Sequence, residues 1–239
     1  MLIDTHVHTS PASICAHVPT EEAVRLYKEK GFGGFMLTNH FYLNHLERLA
    51  DNYKDQKEAY LNEFFKARAL GDEIGIKVFL GAEIRITEHE TAEDGTIKEF
   101  RPEFITFGIT PEILRNMPPL FSTDQKTLFE YANANGLLIY QAHPYRAAQG
   151  HHPANPNLMH GVEIYNGHPN FLTYIDESKA FADLNNNLYS SGCDMHVASQ
   201  IGRAGMIVDN LIEDSVDLKE FLKNNRPKKL VPEKLLIEF

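Results

Sequence analysis

Cysteine is scarce in this chain of 239 residues. Only Cys15 and Cys193 occur, too far apart in sequence to suggest a disulfide framework and compatible with a reducing compartment. Positive charge is also in short supply: 23 Lys plus Arg stand against 33 Asp plus Glu, a formal charge of −10. That balance argues against broad nonspecific binding to duplex DNA or to an anionic membrane surface. It leaves room for a phosphorylated substrate, because bound cations invert the local field. No apolar run approaches the ~20 residues that a membrane span needs. No basic segment followed by an apolar one opens the sequence, so a secretory leader is not expected and the cytoplasm is the expected compartment. Neither a repeat nor a break in composition divides the chain. A single α/β barrel-like domain over 1–239 fits its length and its 43% hydrophobic content.

What the chain has in quantity is histidine, 12 in all, and the first two set the frame. Ile3-Asp4-Thr5-His6-Val7-His8-Thr9 reads as a short buried strand running into a His-x-His pair. Residues i and i+2 of a strand share a face, so both imidazoles project together from its C-terminal end. Two imidazoles on one face are half of a metal site.

The rest of the chain alternates strand, polar strand end and helix. Thr20 is the expected N-cap of a helix with Glu21 and Glu22 in its first turn, ending at Gly31. Gly33 to Thr38 is a second strand that finishes in Asn39-His40. A long helix is expected from about Asn44 to Leu70, and a third strand, Ile76 to Leu80, leads into Gly81-Ala82-Glu83. Ile84-Arg85-Ile86 and the residues from Ile97 flank an Asp94-Gly95 turn, which predicts a hairpin. A helix over Thr123–Asn135 precedes the strand Leu137–Tyr140, which runs into His143-Pro144. A loop over 146–160 has the length of an active-site rim. The strand Val162–Tyr165, a helix over Phe171–Leu184 and a strand from Asn187 then lead to Asp194-x-His196. A short strand over Ala204–Val208, a helix near Ser215–Lys223 and an apolar Leu235–Ile237 complete the chain. This alternation predicts an α/β fold with a mainly parallel sheet.

His6, His8, His40, Glu83, His143, Asp194 and His196 therefore all fall at strand ends, which gather on one face of a parallel barrel. Imidazole and carboxylate without a cysteine cluster suit hydrolytic metals such as zinc, manganese or iron. Glu83 is the carboxylate placed to bridge two cations.

The ordered series His6-x-His8, Thr38-Asn39-His40, Gly81-Ala82-Glu83, His143-Pro144 and Asp194-x-His196 resembles the polymerase-and-histidinol-phosphatase (PHP) family of metal-dependent phosphoesterases. The resemblance runs from residue 4 to about residue 205. It implies a distorted (β/α)7 barrel holding two or three divalent ions. By that resemblance His6, His8, Glu83 and Asp194 hold the first metal, Glu83 and His143 the second, and His40 and His196 contribute to the third. Three departures stand out. Asn39 replaces the usual acid before His40. Ile105 stands at or near the place of a further family histidine. The loop ligand of the third metal falls between Ser10 and Val18, where both Cys15 and His17 qualify.

The implied chemistry is attack by metal-activated water on the phosphate ester of a small molecule or nucleotide, with no side chain as nucleophile. Arg146 and Arg203 are candidates for grasping the phosphate. Glu163 and Asn166 suit a supporting role beside the ligands. His45, His89, His151, His152, His160 and His168 read as surface or loop residues, and Cys193 as a small core residue. Two rival readings are an amidohydrolase-type metal enzyme, whose barrel also opens with His-x-His, and a degenerate barrel kept as a binding module.

Overall fold

The computed structural model describes residues 1–91, 94–146, 152–168, 174–208, 211–225, 229–231 and 236–238. The chain opens with β1 (Leu2–Val7), buried from Ile3 onward. Helix α1 (Thr20–Glu29) follows, with Glu21 and Glu22 in its first turn and Gly31 at φ +81° just past its end. Thr20 does not cap it. Pro19 takes that place, while the buried Thr20 hydroxyl donates to Glu63 Oε2 at 2.7 Å. Strand β2 (Gly34–Leu37) is wholly buried.

The single helix expected over Asn44–Leu70 is instead two, α2 (Leu43–Leu46) and α3 (Tyr53–Ile74). The Asn52 side chain restarts the helix by accepting the Asp55 N–H at 3.1 Å. Strands β3 (Lys77–Leu80) and β4 (Ala82–Arg85) follow one another across Gly81 and enter different sheets. From α3 the fully buried Tyr60 hydroxyl reaches the Asn39 and Gly81 carbonyls at 2.8 and 3.0 Å.

Strands β5 (Glu88–Thr91) and β6 (Ile97–Phe100) form the hairpin. It lies one step outside the expected pairing: Ile84 pairs with Phe104 of β7 (Glu103–Phe107) instead. Burial explains the shift. Residues 82–84 are buried and take the wholly buried β7 as partner, whereas β5 and β6 carry Glu88, Glu90, Lys98 and Glu99 on an exposed ribbon. Helix α4 (Pro111–Asn116), which the sequence reading passes over, begins at the Thr110 cap with Pro111 in its first turn.

Helix α5 (Gln125–Ala134) leads into β8 (Leu138–Gln141). Then come β9 (Gly161–Asn166), α6 (Ile175–Leu184) and β10 (Leu188–Gly192). Strand β11 (Gly205–Ile207), α7 (Ser215–Asn224), β12 (Lys229–Val231) and β13 (Leu236–Glu238) complete the order.

The architecture is mixed α/β, built on a six-stranded sheet, β12-β13-β11-β1-β2-β3, and a five-stranded sheet, β10-β9-β8-β7-β4. The sheet is less parallel than expected. Strands β1–β2–β3 and β8–β9–β10 pair in parallel, but β7 runs antiparallel to both β4 and β8, and β11 antiparallel to β1. For β4 and β7 the reason is the connection: the β5–β6 hairpin returns the chain to β7 without a crossover helix. No described helix is long and apolar enough to cross a membrane.

The two sheets meet at isolated bridges, Val7 with Met195 and His40 with Glu83. At the first seam His8 N–H donates to Met195 O (2.9 Å) and Met195 N–H to His6 O (3.2 Å). Gly192 is required there, since a Cβ would lie 2.4 Å from the His6 Cβ and 2.6 Å from its backbone nitrogen. The buried Asp4 carboxylate ties this seam to α1. Its Oδ1 accepts the N–H groups of His6 (3.0 Å) and Cys193 (2.9 Å), and its Oδ2 accepts the Tyr27 hydroxyl (2.6 Å). Burial pushes the Asp4 carboxyl up to about 6 against the pull of these bonds. Asp4→Ala would leave three buried donors unmatched, so a stability loss of about 3 kcal/mol is expected in urea unfolding. Unchanged stability would remove Asp4 from this role.

Candidate metal centre

The strand ends bring the expected side chains to one point. From β1, His6 and His8 project together, both fully buried. Their Nε2 atoms lie 3.5 and 3.3 Å from Asp194 Oδ1, carried past the end of β10. Glu83, from the start of β4, is the hub. Its Oε1 is 3.1 Å from His6 Nε2 and 3.3 Å from His143 Nε2, and its Oε2 is 3.5 Å from His8 Nε2 and 2.7 Å from His40 Nδ1. The His196 ring stands 4.5 Å from that of His8. The backbone turns sharply to aim two of these groups, with His143 at φ +31° and Asp194 at φ +53°. Non-glycine residues hold such angles only where surrounding structure enforces them.

Neighbouring groups fix how the imidazoles face. His6 Nδ1 shares a 2.9 Å hydrogen bond with Glu163 Oε1. A carboxylate only accepts, so the proton is on Nδ1 and the Nε2 lone pair faces inward. Glu163 Oε2 also accepts the His143 N–H (3.0 Å) and the Asn166 side-chain amide (2.9 Å). His8 is fixed through a hydroxyl. Ser13 Oγ donates to Asn39 Oδ1 at 2.9 Å and so has only lone pairs left for His8 Nδ1 (3.1 Å) and the His40 N–H (3.0 Å). This accounts for Asn39 in place of an acid: its Oδ1 also accepts the Thr9 N–H (2.7 Å), and its Nδ2 donates to Thr9 Oγ1 (3.2 Å). His196 Nδ1 donates to the Asp194 carbonyl at 2.9 Å.

The donor set fits divalent cations. His6 Nε2, His8 Nε2, His40 Nδ1 and Glu83 Oε2 are buried and have no hydrogen-bond partner among the described residues. Converging orphaned lone pairs are what a cation satisfies. Donor atoms of His6, His8 and Asp194 lie within 4.8 Å of one another, as do those of His6, Glu83 and His143 and those of His8, His40 and His196. Burial opposes a charge on His6, but Glu163, Asp194 and Glu83 outweigh it and raise its pKa well above the ordinary value. His8 is driven well below by burial and by His40 and His196. Burial would raise Glu83 and Asp194, yet both are held well below the usual carboxylate range, Glu83 first by His6 and Asp194 first by Arg146.

The remaining expected residues separate. Cys15 Sγ groups with His40 and His45 within 4.8 Å, whereas His17 lines the cavity without joining any such group among the described residues. Arg146 is buried and donates Nη2 to both Asp194 Oδ2 and Asn166 Oδ1. Arg203 is not among the residues lining the cavity; its Nε–H goes to the Gly167 carbonyl at 2.8 Å. His45 is 6% exposed and lines the cavity with His168, so neither is an ordinary surface residue. His160 binds the Ile139 N–H, and His152 stacks on Phe100 at 3.7 Å. His151 lies outside the described residues.

Two residues at this site were missed. Glu103 opens β7, and its Oε2 lies 3.4 Å from His143 Nε2; its donor atom groups with those of Glu83 and His40. Burial and Glu83 push its carboxyl up to about 7, against Arg85. Ile105, where a ligand was sought, is fully buried in the core. The available signal was spacing, because Glu103 precedes Ile105 by two and shares its strand face. Arg85, two residues after Glu83, lines the same cavity of about 530 Å³.

The family model for the PHP domain matches residues 4–207. Among solved structures the chain resembles a two-domain protein of Bacteroides vulgatus containing a predicted PHP-like metal-dependent phosphoesterase, with 22% identity and a TM-score of 0.56. That match covers 84% of this chain and 53% of the Bacteroides protein, so the chain spans about half of its length. A candidate metal-dependent phosphoesterase of Bifidobacterium adolescentis has 12% identity and a TM-score of 0.53, covering 92% of this chain and 95% of its own. An amidohydrolase of Chromobacterium violaceum, solved with bound sulfate and no metal, has 14% identity and a TM-score of 0.54, covering 91% and 95%. At such identities these likenesses speak for the fold. Among curated protein sequences none matches the chain.

Since Glu83 touches four imidazoles and His196 lies at the edge, Glu83→Ala should lose more bound divalent metal than His196→Ala. Elemental analysis of the purified proteins measures this. Wild-type metal content in Glu83→Ala would contradict the hub geometry.

Proposed function

Because the chain belongs to the PHP-domain family of metal-dependent phosphoesterases, matched over residues 4–207, we propose that it hydrolyses the phosphate ester of a small molecule or nucleotide. The observation that carries this reading is the set of buried, unpartnered imidazole and carboxylate atoms converging on Glu83. Two or three divalent ions, zinc, manganese or iron, are the expected occupants. His6, His8, Glu83 and Asp194 would hold one and Glu83 and His143 the second, with Glu103 alongside. His40 and His196 would contribute to a third, with Cys15 the better-placed loop residue. The bridged sheets are read as a distorted (β/α)7 barrel within one domain, 1–239, working in the cytoplasm.

Such ions, when bound, would lower the pKa of water from ~15.7 to near ~7 and neutralise phosphate oxygens. The chain's own residues supply the rest. Glu163 accepts the Nδ1–H of His6 and so keeps the Nε2 lone pair inward. Arg146 occupies one Asp194 oxygen and leaves the other facing the histidines. Burial keeps competing water from the donor set. A small phosphorylated substrate suits the cavity of about 530 Å³, and the net charge of −10 disfavours duplex nucleic acid and membrane surfaces.

Likeness in fold to the Chromobacterium amidohydrolase keeps a second reading in view. Turnover of amides or lactones, with phosphate esters left intact, would favour it. A metal-free purified protein without turnover would favour a binding module. On the leading reading, Asp194→Ala and His8→Ala each abolish phosphate-ester hydrolysis in a phosphatase screen with each metal restored. Their circular-dichroism spectra stay folded. Full activity in either variant would overturn the assignment.

A further inference from the structure

We propose that Arg85 and His45, both held against the ring of Tyr42, form the contact that grips the phosphoryl group of the substrate; this rests on the phosphoesterase reading. The Arg85 guanidinium lies 4.3 Å from the Tyr42 ring centroid. Its Nε and Nη2 donate to a single oxygen, Glu103 Oε1, at 2.9 and 2.6 Å. This anchors the fork while Nη1 has no partner among the described residues. Arg85 is one-third exposed and lines the cavity that contains Glu83. A guanidinium oriented by a carboxylate and an aromatic face, with one donor edge open, suits an anionic oxygen.

His45 supplies the second donor. Its ring packs edge-on against Tyr42 at 4.7 Å and against His40 at 4.5 Å. The His45 Nδ1 accepts the Ile14 N–H at 3.1 Å, so the neutral ring carries its proton on Nε2. Among the described residues Nε2 has no partner, although the residue is only 6% exposed, and it lines the same cavity. His45 stands close enough to Cys15 and His40 to pass for a metal ligand. Ligation through Nε2 would move the ring proton to Nδ1, where it would oppose the Ile14 N–H donor to donor. The hydrogen bond therefore assigns His45 as a donor to an acceptor in the cavity. Arg203 does not line the cavity, and Arg146 spends its Nη2 inside the protein on Asp194 and Asn166. Among the described residues, Arg85 Nη1 and His45 Nε2 are the donors of this pair left for a ligand.

The test uses the metal-loaded protein, inorganic phosphate as the probe and an aryl phosphate as substrate. In Arg85→Gln, and in Arg85→Lys, which keeps the charge beside Glu103 but not the fork, phosphate affinity should fall about tenfold or more. KM should rise more than kcat falls, at wild-type metal content. His45→Phe should weaken phosphate binding similarly, while His45→Gln, whose amide keeps a donor, should recover most of it. Phosphate affinity unchanged in Arg85→Lys and His45→Phe would overturn the proposal while leaving the phosphoesterase reading intact. Loss of metal in step with loss of affinity would also overturn it, by making Arg85 a brace for Glu103. A wild-type protein that neither binds phosphate nor turns over the ester would remove both readings.

Discussion

The structure depends on one electrostatic constraint, the approach of four imidazoles to the two oxygens of a single buried carboxylate. Glu83 is 1% exposed, and its Oε2 accepts no hydrogen bond among the described residues. A buried ionised group without compensation is strongly disfavoured, so the surrounding charge must match it. The carboxylates around His6 favour positive charge at that ring, the charge a cation on its Nε2 would supply. Burial works against it at His8, His40 and His143, joined by neighbouring imidazoles at His8 and His40 and by Arg146 at His143, which is lowered to about 3. The pocket is thus arranged to remain rich in lone pairs, and divalent cations are the natural complement.

Everything around the cluster serves to hold those lone pairs inward. Donors and acceptors alternate from Asn39 through Ser13 to His8, and Glu163 links His6, His143 and Asn166. Gly192 and Asp4 close the seam between the sheets at the residues that aim the first two imidazoles. Fold and site share these atoms. The packing that joins β10 to β1 is also what sets Asp194 opposite His6 and His8.

Legibility in the sequence followed physical range. Period-2 spacing placed His6 with His8, because strand geometry is local and rigid, whereas Asp194 and His196 meet through the left-handed turn at Asp194 (φ +53°) beyond the end of β10. Apolar strands ending in polar residues gave the α/β class and the strands β1, β2, β3, β8, β9 and β10. The reversal of β7 was not legible, because a hairpin return and a crossover differ only in what lies between the strands. With β7 reversed, its first residue comes to the rim, which is why Glu103 reaches the site while Ile105 is buried in the core. The break between α2 and α3 turned on one side-chain cap at Asn52, a local event outweighed in the pattern by the surrounding helix formers. Arg85 and His45 were hidden for another reason. Their surroundings, the Tyr42 ring, Glu103 and the Ile14 amide, converge from distant parts of the chain.

The direction of β7 has a wider consequence. Strands that run toward the rim deliver their side chains first and their loops afterward, so a change of loop length there leaves the delivered group in place. Glu103 arrives in the opposite sense, at the downstream foot of the β5–β6 ribbon, with Arg85 across from it in register. Lengthening or shortening that ribbon acts directly on the pair. An outward-facing ornament of the fold is therefore mechanically continuous with a buried acid of the cavity, and variation in one is constrained by the other.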